Sequence, residues 1–155
     1  MRNRAARRKP IPLVYKKKAM ADDISPAVHT REIEIPPVGL KAILAVPENA
    51  AAIIIFAHGS GSGRLSPRNN YVAAALREDG FATLLLDLLT PEEEQDRANV
   101  FDIKLLAERL SMAARWIRER PVFSEIPICY FGASTGAGAA VASAMAAAPA
   151  ARHLR

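Results

Sequence analysis

The run from residue 126 to 148, IPICYFGASTGAGAAVASAMAAA, limits what this chain can fold into more than any other stretch. A short apolar strand enters Gly132-Ala133-Ser134-Thr135-Gly136, and a helix of small residues follows with no linker. Turning from strand to helix within so few residues demands a sharp bend. The glycines flanking Ser134 let the backbone pass close to its neighbours, because no Cβ stands in the way. Ser134 then sits at the tip of a G-x-S-x-G turn with its hydroxyl projecting from the sheet. The partial positive charge of the helix N-terminus beside it favours a developing oxyanion. By composition alone such a pentapeptide turns up in roughly a few per cent of chains this long; its strand–turn–helix setting is what carries chemical meaning.

Elements upstream of this turn alternate in a way that predicts an α/β sheet. Residues 31 to 36 place Ile33 and Ile35 on one face and Glu32 and Glu34 on the other. After Pro37-Val38-Gly39, strand character resumes over 40 to 46, so the two segments read as an antiparallel hairpin. Pro47-Glu48-Asn49 is a turn. Residues 52 to 57, AIIIFA, form a continuous apolar run of the kind covered on both faces. Ser66-Pro67 supplies an N-cap and a first-turn proline for a helix that stops at Gly80. A second buried strand runs from Phe81 to Leu86 and ends at Asp87. Residues 90 to 94, TPEEE, make a loop or helix start. Apolar positions at 103, 106, 110, 113, 114 and 117 predict one helix over 100–120 that ends at Pro121. A strand over 126–131 then leads into the Ser134 turn. The whole predicts an N-terminal antiparallel hairpin, then a mostly parallel sheet with helices on both faces.

The glycine-rich segment His58-Gly59-Ser60-Gly61-Ser62-Gly63-Arg64 supports three readings. Its position between a buried strand and a helix suits a dinucleotide site, with Asp87 placed for a ribose. That spacing requires glycine at 64, where Arg64 stands, and no Walker lysine follows. Alternatively its backbone N–H groups face Ser134 and complete an oxyanion hole. A plain Gly/Ser connection is the third. The Ser134 turn downstream favours the oxyanion loop.

The segments FAHGSGSGRLSPRNNYVAAALREDGFATLLLDLLTPEEE and YFGASTGAGAA together resemble the dienelactone-hydrolase-like branch of the α/β-hydrolase superfamily, over roughly residues 30 to 148. The resemblance implies hydrolysis of a small-molecule ester or lactone through an acyl-enzyme on Ser134, with no metal or organic cofactor. It implies oxyanion donors at the backbone N–H of Thr135 and of Ser60. His58 becomes the structural histidine of a His-Gly turn rather than the base.

In that superfamily the triad runs Ser, then Asp or Glu, then His. Here the chain continues only about twenty residues past Ser134, and the tail holds His153 and no acid. The helix after Ser134 carries the chain roughly 20 Å away at 1.5 Å per residue, so His153 reads as a solvated tail residue. His29 reads as an exposed residue ahead of the first strand, and Glu92, Glu93 and Glu94 as a solvated loop. The expectation is therefore a truncated α/β-hydrolase fold: a basic, disordered extension over 1–29, an incomplete domain over 30–148 and a disordered tail over 149–155. Lacking the triad acid and histidine, such a chain is a weak or inactive enzyme. The strand at 126–131 becomes an exposed apolar edge, which favours self-association and poor solubility. A non-catalytic binding or assembly module using that edge is the alternative, with nucleotide binding at Gly59–Gly63 behind it.

Charge and cysteine usage set the remaining bounds. The net charge of +5 is concentrated in the head, where residues 1–19 carry eight Lys and Arg and no acid. From Met20 onward, 13 basic and 16 acidic residues leave a balance near −3. That body offers no electrostatic reason to bind nucleic acid or an acidic membrane. The head reads as a basic arm, a targeting segment or an extension upstream of a start at Met20. Residues 126–151 are uncharged, yet two prolines, several glycines and many alanines make them too weakly apolar for a membrane span. The lone Cys129 excludes an intramolecular disulfide, fits a reducing cytoplasmic compartment, and reads as a buried, inert thiol.

Overall fold

A computed structural model of the chain describes residues 28–147. The basic head and the tail with His153 lie outside the described residues. The described chain has an α/β fold built on one five-stranded mixed sheet, in the order β1-β2-β4-β3-β5. Strands β1 (His29–Ile35) and β2 (Leu40–Val46) form the expected hairpin, in register from His29 opposite Val46 to Ile35 opposite Leu40. Strand β2 is also antiparallel to β4 (Ala82–Leu86). Strand β3 (Ile53–Ala57) runs parallel to β4 on one side and to β5 (Ile128–Gly132) on the other. His29, expected ahead of the first strand, is its exposed first residue.

The apolar runs of β3 and β4 follow from their central place, since side chains on both faces need cover. On one face Ile53, Ile55, Leu84 and Leu86 pack with Leu110 and Ile117 in the main core. On the other, Phe56 and Leu85 pack with Ala73 of α1 (Pro67–Glu78). Helix α1 begins as predicted: the Ser66 hydroxyl accepts from the Asn69 N–H, and Pro67 occupies the first turn. It ends at Gly80, whose φ of +84° a side chain would resist. There the N–H groups of Gly80 and Phe81 donate back to the carbonyls of Arg77 and Leu76, closing the last turn.

Three expectations change. The single helix over 100–120 is two, α2 (Arg97–Phe101) and α3 (Ile103–Arg118). Asp102 stands between them in extended conformation, and its carboxylate accepts from the Leu105 N–H at 3.0 Å. An aspartate there caps a new helix more readily than it continues an old one. Strand β5 starts at Ile128 rather than Ile126, because Pro127 has no N–H to give; its carbonyl instead accepts from the Ile53 N–H at 2.9 Å. Cys129, read as buried, is exposed. It shares the face of Phe131 and Phe56, and α1 covers that face over β4 but not out at β5.

Candidate active site

The sheet delivers its strands to a sharp turn at Ser134. Parallel pairing of β3 with β5 sets Ala57 beside Gly132, so the chain leaving β5 crosses the end of β3. Helix α4 (Thr135–Ala147) starts at once. Ala133 N–H donates to the Ala57 carbonyl at 3.3 Å, and the N–H groups of Gly136 and Ala137 return to the carbonyls of Ala133 and Ser134 at 3.0 Å each. Ser134 itself lies in the left-handed region at φ +54°, a conformation that costs a non-glycine residue about 1–3 kcal/mol. It is exposed at the surface.

Both flanking glycines are there because of this crossing. A Cβ on Gly136 would lie 2.0 Å from the Ala57 carbonyl oxygen and 2.4 Å from that of His58. One on Gly132 would lie 2.8 Å from both the Ala137 Cα and the Gly136 oxygen. Neither clash involves a side chain that could rotate away.

The glycine-rich loop lies against this turn. A Cβ on Gly59 would meet the Ser134 Cβ at 3.0 Å, the Ala133 oxygen at 3.1 Å and the Ser134 Oγ at 3.7 Å. Among the described residues, the N–H groups of Ser60 and Thr135 donate to no protein acceptor. His58 takes no part at the serine, because both ring nitrogens are engaged. Its Nε2 accepts from the Leu88 N–H at 3.1 Å, which places the proton on Nδ1, bonded to the Gly59 carbonyl at 2.9 Å. The carboxylate of Asp87 accepts from the Arg64 N–H at 2.7 Å and pairs with the Arg64 guanidinium. The nucleotide reading had left that carboxylate for a ribose.

Glu92 and Glu94 are exposed as expected, but Glu93 is less solvated. Thr90 and Glu93 form a reciprocal box: the Thr90 N–H donates to Glu93 Oε2 at 2.9 Å, and the Glu93 N–H to Thr90 Oγ1 at 3.3 Å. Glu93 also pairs with Arg109. The T-x-x-E spacing announces such a box, and it was legible in the chain. Glu92 remains exposed, its carboxyl held below the usual carboxylate range by a bond from its own backbone N–H and by Thr90. The Asp87–Arg64 contact spans 23 positions, and no local spacing signals it.

A cavity of about 610 Å³ opens between the loop and the helical segment that follows β4. Leu65, Leu88, Leu89, Val100 and Leu106 give it apolar walls, with Thr135 at one side. Its size suits a small ligand. No imidazole or carboxylate hydrogen-bonds Ser134 Oγ among the described residues, and no cluster of three metal-ligating side chains occurs there. Nor is any helix among them long and apolar enough to cross a membrane.

No family model matches the chain. A solved dienelactone hydrolase from Anabaena variabilis is 46% identical, with a TM-score of 0.71, over 79% of this chain and 59% of that one. Est1E from Butyrivibrio proteoclasticus shares the fold at 20% identity and a TM-score of 0.59, over 76% of this chain and 46% of its own. The described chain has the α/β-hydrolase fold. In sequence as well as fold it is similar to a dienelactone hydrolase over the matched part. Among curated proteins, a Mycobacterium tuberculosis relative with the provisional name phosphoribosyl transferase is 54% identical over 121 residues. The match takes in 77% of this chain and 27% of that relative, so the chain spans about a quarter of its length.

The crossing makes a sharp prediction about two glycines of one helix. Gly136→Ala forces a methyl into backbone and is expected to cost at least about 3 kcal/mol, or to prevent folding. Gly138→Ala meets only the movable end of Ile103, with Cδ1 at 3.2 Å, and gains helix propensity, so it should stay within about 1 kcal/mol of the parent. Urea denaturation of both variants checks this; equal stabilities would contradict the crossing.

Proposed function

We propose that Ser134 is the nucleophile of a site that hydrolyses small-molecule esters or lactones. In this reading Ser134 Oγ attacks the carbonyl carbon, and the carbonyl oxygen, as it gains charge, takes hydrogen bonds from the Ser60 and Thr135 N–H groups. The bond from the acyl carbon to the alcohol oxygen breaks as that oxygen takes up, by way of solvent water, the proton that Ser134 loses. A second water then attacks the acyl carbon, releases the acid and restores the hydroxyl. One observation carries the proposal: a serine held at φ +54° between strand and helix, with a glycine-rich loop against its Cβ. The proton of Ser134 needs an acceptor, and His58 is committed to Leu88 and Gly59. Oxyanion donors without a triad leave a residual rate about 10³–10⁴-fold over water in a serine protease. The chain by itself is accordingly a slow enzyme.

The transferase name describes a protein of which this chain matches about a quarter, whereas the strained Ser134 turn and the loop against it are features of this chain itself. Hydrolase chemistry is therefore the reading for these residues. A fluorophosphonate probe tests it. Covalent labelling of the folded chain that disappears in Ser134→Ala is expected; folded protein that stays unlabelled after prolonged exposure at millimolar probe contradicts the assignment.

A second reading has its own support. Strand β5 is outermost in the sheet among the described residues, and Cys129 and Phe131 are exposed on it. An unpaired edge with apolar side chains invites another strand, so the chain would serve as an assembly module through β5. Sedimentation velocity should then show association that rises with concentration and weakens in Phe131→Lys. A chain that sediments as a monomer at all concentrations removes this reading.

A further inference from the structure

We propose that Asp87 is a positioning residue that sets the oxyanion loop, acting through Arg64 and in step with the His58–Leu88 contact. The inference rests on the hydrolase reading and deepens it. The backbone at the end of β4 is anchored to the sheet, because the Asp87 N–H still donates to the Lys41 carbonyl at 2.9 Å. From that anchor two consecutive residues reach the two ends of one loop. Leu88 N–H donates to His58 Nε2 at the loop's start. The Asp87 carboxylate takes both the N–H and the guanidinium of Arg64 at its end. Residues 59–63 run between these two points, with a further contact from the Asn69 amide to Ser62 Oγ at 3.5 Å, and Gly59 lies against the Ser134 turn.

The fit is close enough to select residues. A Cβ on Gly63 would lie 2.7 Å from Asp87 Oδ1, so only glycine leaves the carboxylate room to reach the Arg64 N–H. Further bonds continue the clamp outward: the Asn70 side-chain amide donates to the Arg64 and Ser66 carbonyls at 2.9 Å each. The side chains of Arg64 and Asp87 are only 18% and 21% exposed, so each needs the other. The pairing also matters for the chemistry. An unpaired carboxylate beside an oxyanion hole repels the charge the hole must stabilise, whereas one matched by Arg64 does not.

Hydrogen exchange and probe labelling on the full chain separate the outcomes. In Asp87→Ala, the Ser62 amide of the loop, which donates to the Gly59 carbonyl at 3.2 Å, should exchange at least tenfold faster while those of β3 and β4 keep their protection. Phosphonate labelling of Ser134 should slow about tenfold in its maximal rate, with little change in the probe concentration giving half that rate. Asp87→Asn keeps one acceptor for the Arg64 N–H and should recover part of both effects; should Asp87→Ala not fold, it and Arg64→Lys carry the test. A Ser62 amide that exchanges at the parental rate in folded Asp87→Asn and Arg64→Lys overturns the clamp, as does labelling at the parental rate. A parent chain that takes no label sinks the hydrolase reading alone, and exchange then decides whether Asp87 holds the loop.

Discussion

The structure depends on one close crossing, where the start of α4 passes over the end of β3 with Gly136 against the Ala57 carbonyl. With no Cβ at that point, two stretches of backbone approach nearer than any side chain permits. The chain between β5 and α4 then has no room for a relaxed turn, and Ser134 takes up the difference at φ +54°. Strain of this kind persists only where the surroundings over-determine it. Here they do: β3 pairs with strands on both sides, the core packs beneath it, and Ala133 bonds back to Ala57.

The same end of the sheet also organises the glycine-rich loop. Strands β3 and β4 are parallel neighbours, so their C-terminal ends emerge side by side and can brace one another. His58 follows β3 and Asp87 follows β4, and each reaches across to the other's continuation. This is the crevice beyond the carboxyl ends of parallel strands, the usual place for ligands in an open α/β sheet. The exposed Ser134 hydroxyl lies at this end, and two unengaged amides, of Ser60 and Thr135, belong to residues that line the cavity beside it. The likeness to a dienelactone hydrolase covers 79% of the chain, at 46% identity.

How much could be read from the chain varied with the range of the interaction. The Ser134 turn, the Ser66–Pro67 helix start and the Gly80 stop were legible because each is encoded within a few residues. The buried strands were legible because β3 is apolar at every position and β4 at all but Thr83. Helix α3 was misjudged at its start, since periodicity at 103, 106 and 110 continues smoothly past Asp102 and only the cap reveals the break. Cys129 was misjudged because a strand's apolar letters say nothing about whether a helix lies over its face. The Asp87–Arg64 clamp was invisible for a similar reason: it joins residues that only the parallel pairing of β3 and β4 brings together.

The most direct measurement is a crystal structure of the chain with a phosphonate bonded to Ser134. The account predicts the phosphonyl oxygen 2.7–3.1 Å from the backbone nitrogens of Ser60 and Thr135, about the distance oxyanion donors keep from their charge. It also predicts that residue 134 retains its left-handed backbone. A phosphonyl oxygen directed into solvent, with the loop at 59–61 withdrawn from the serine, would contradict it.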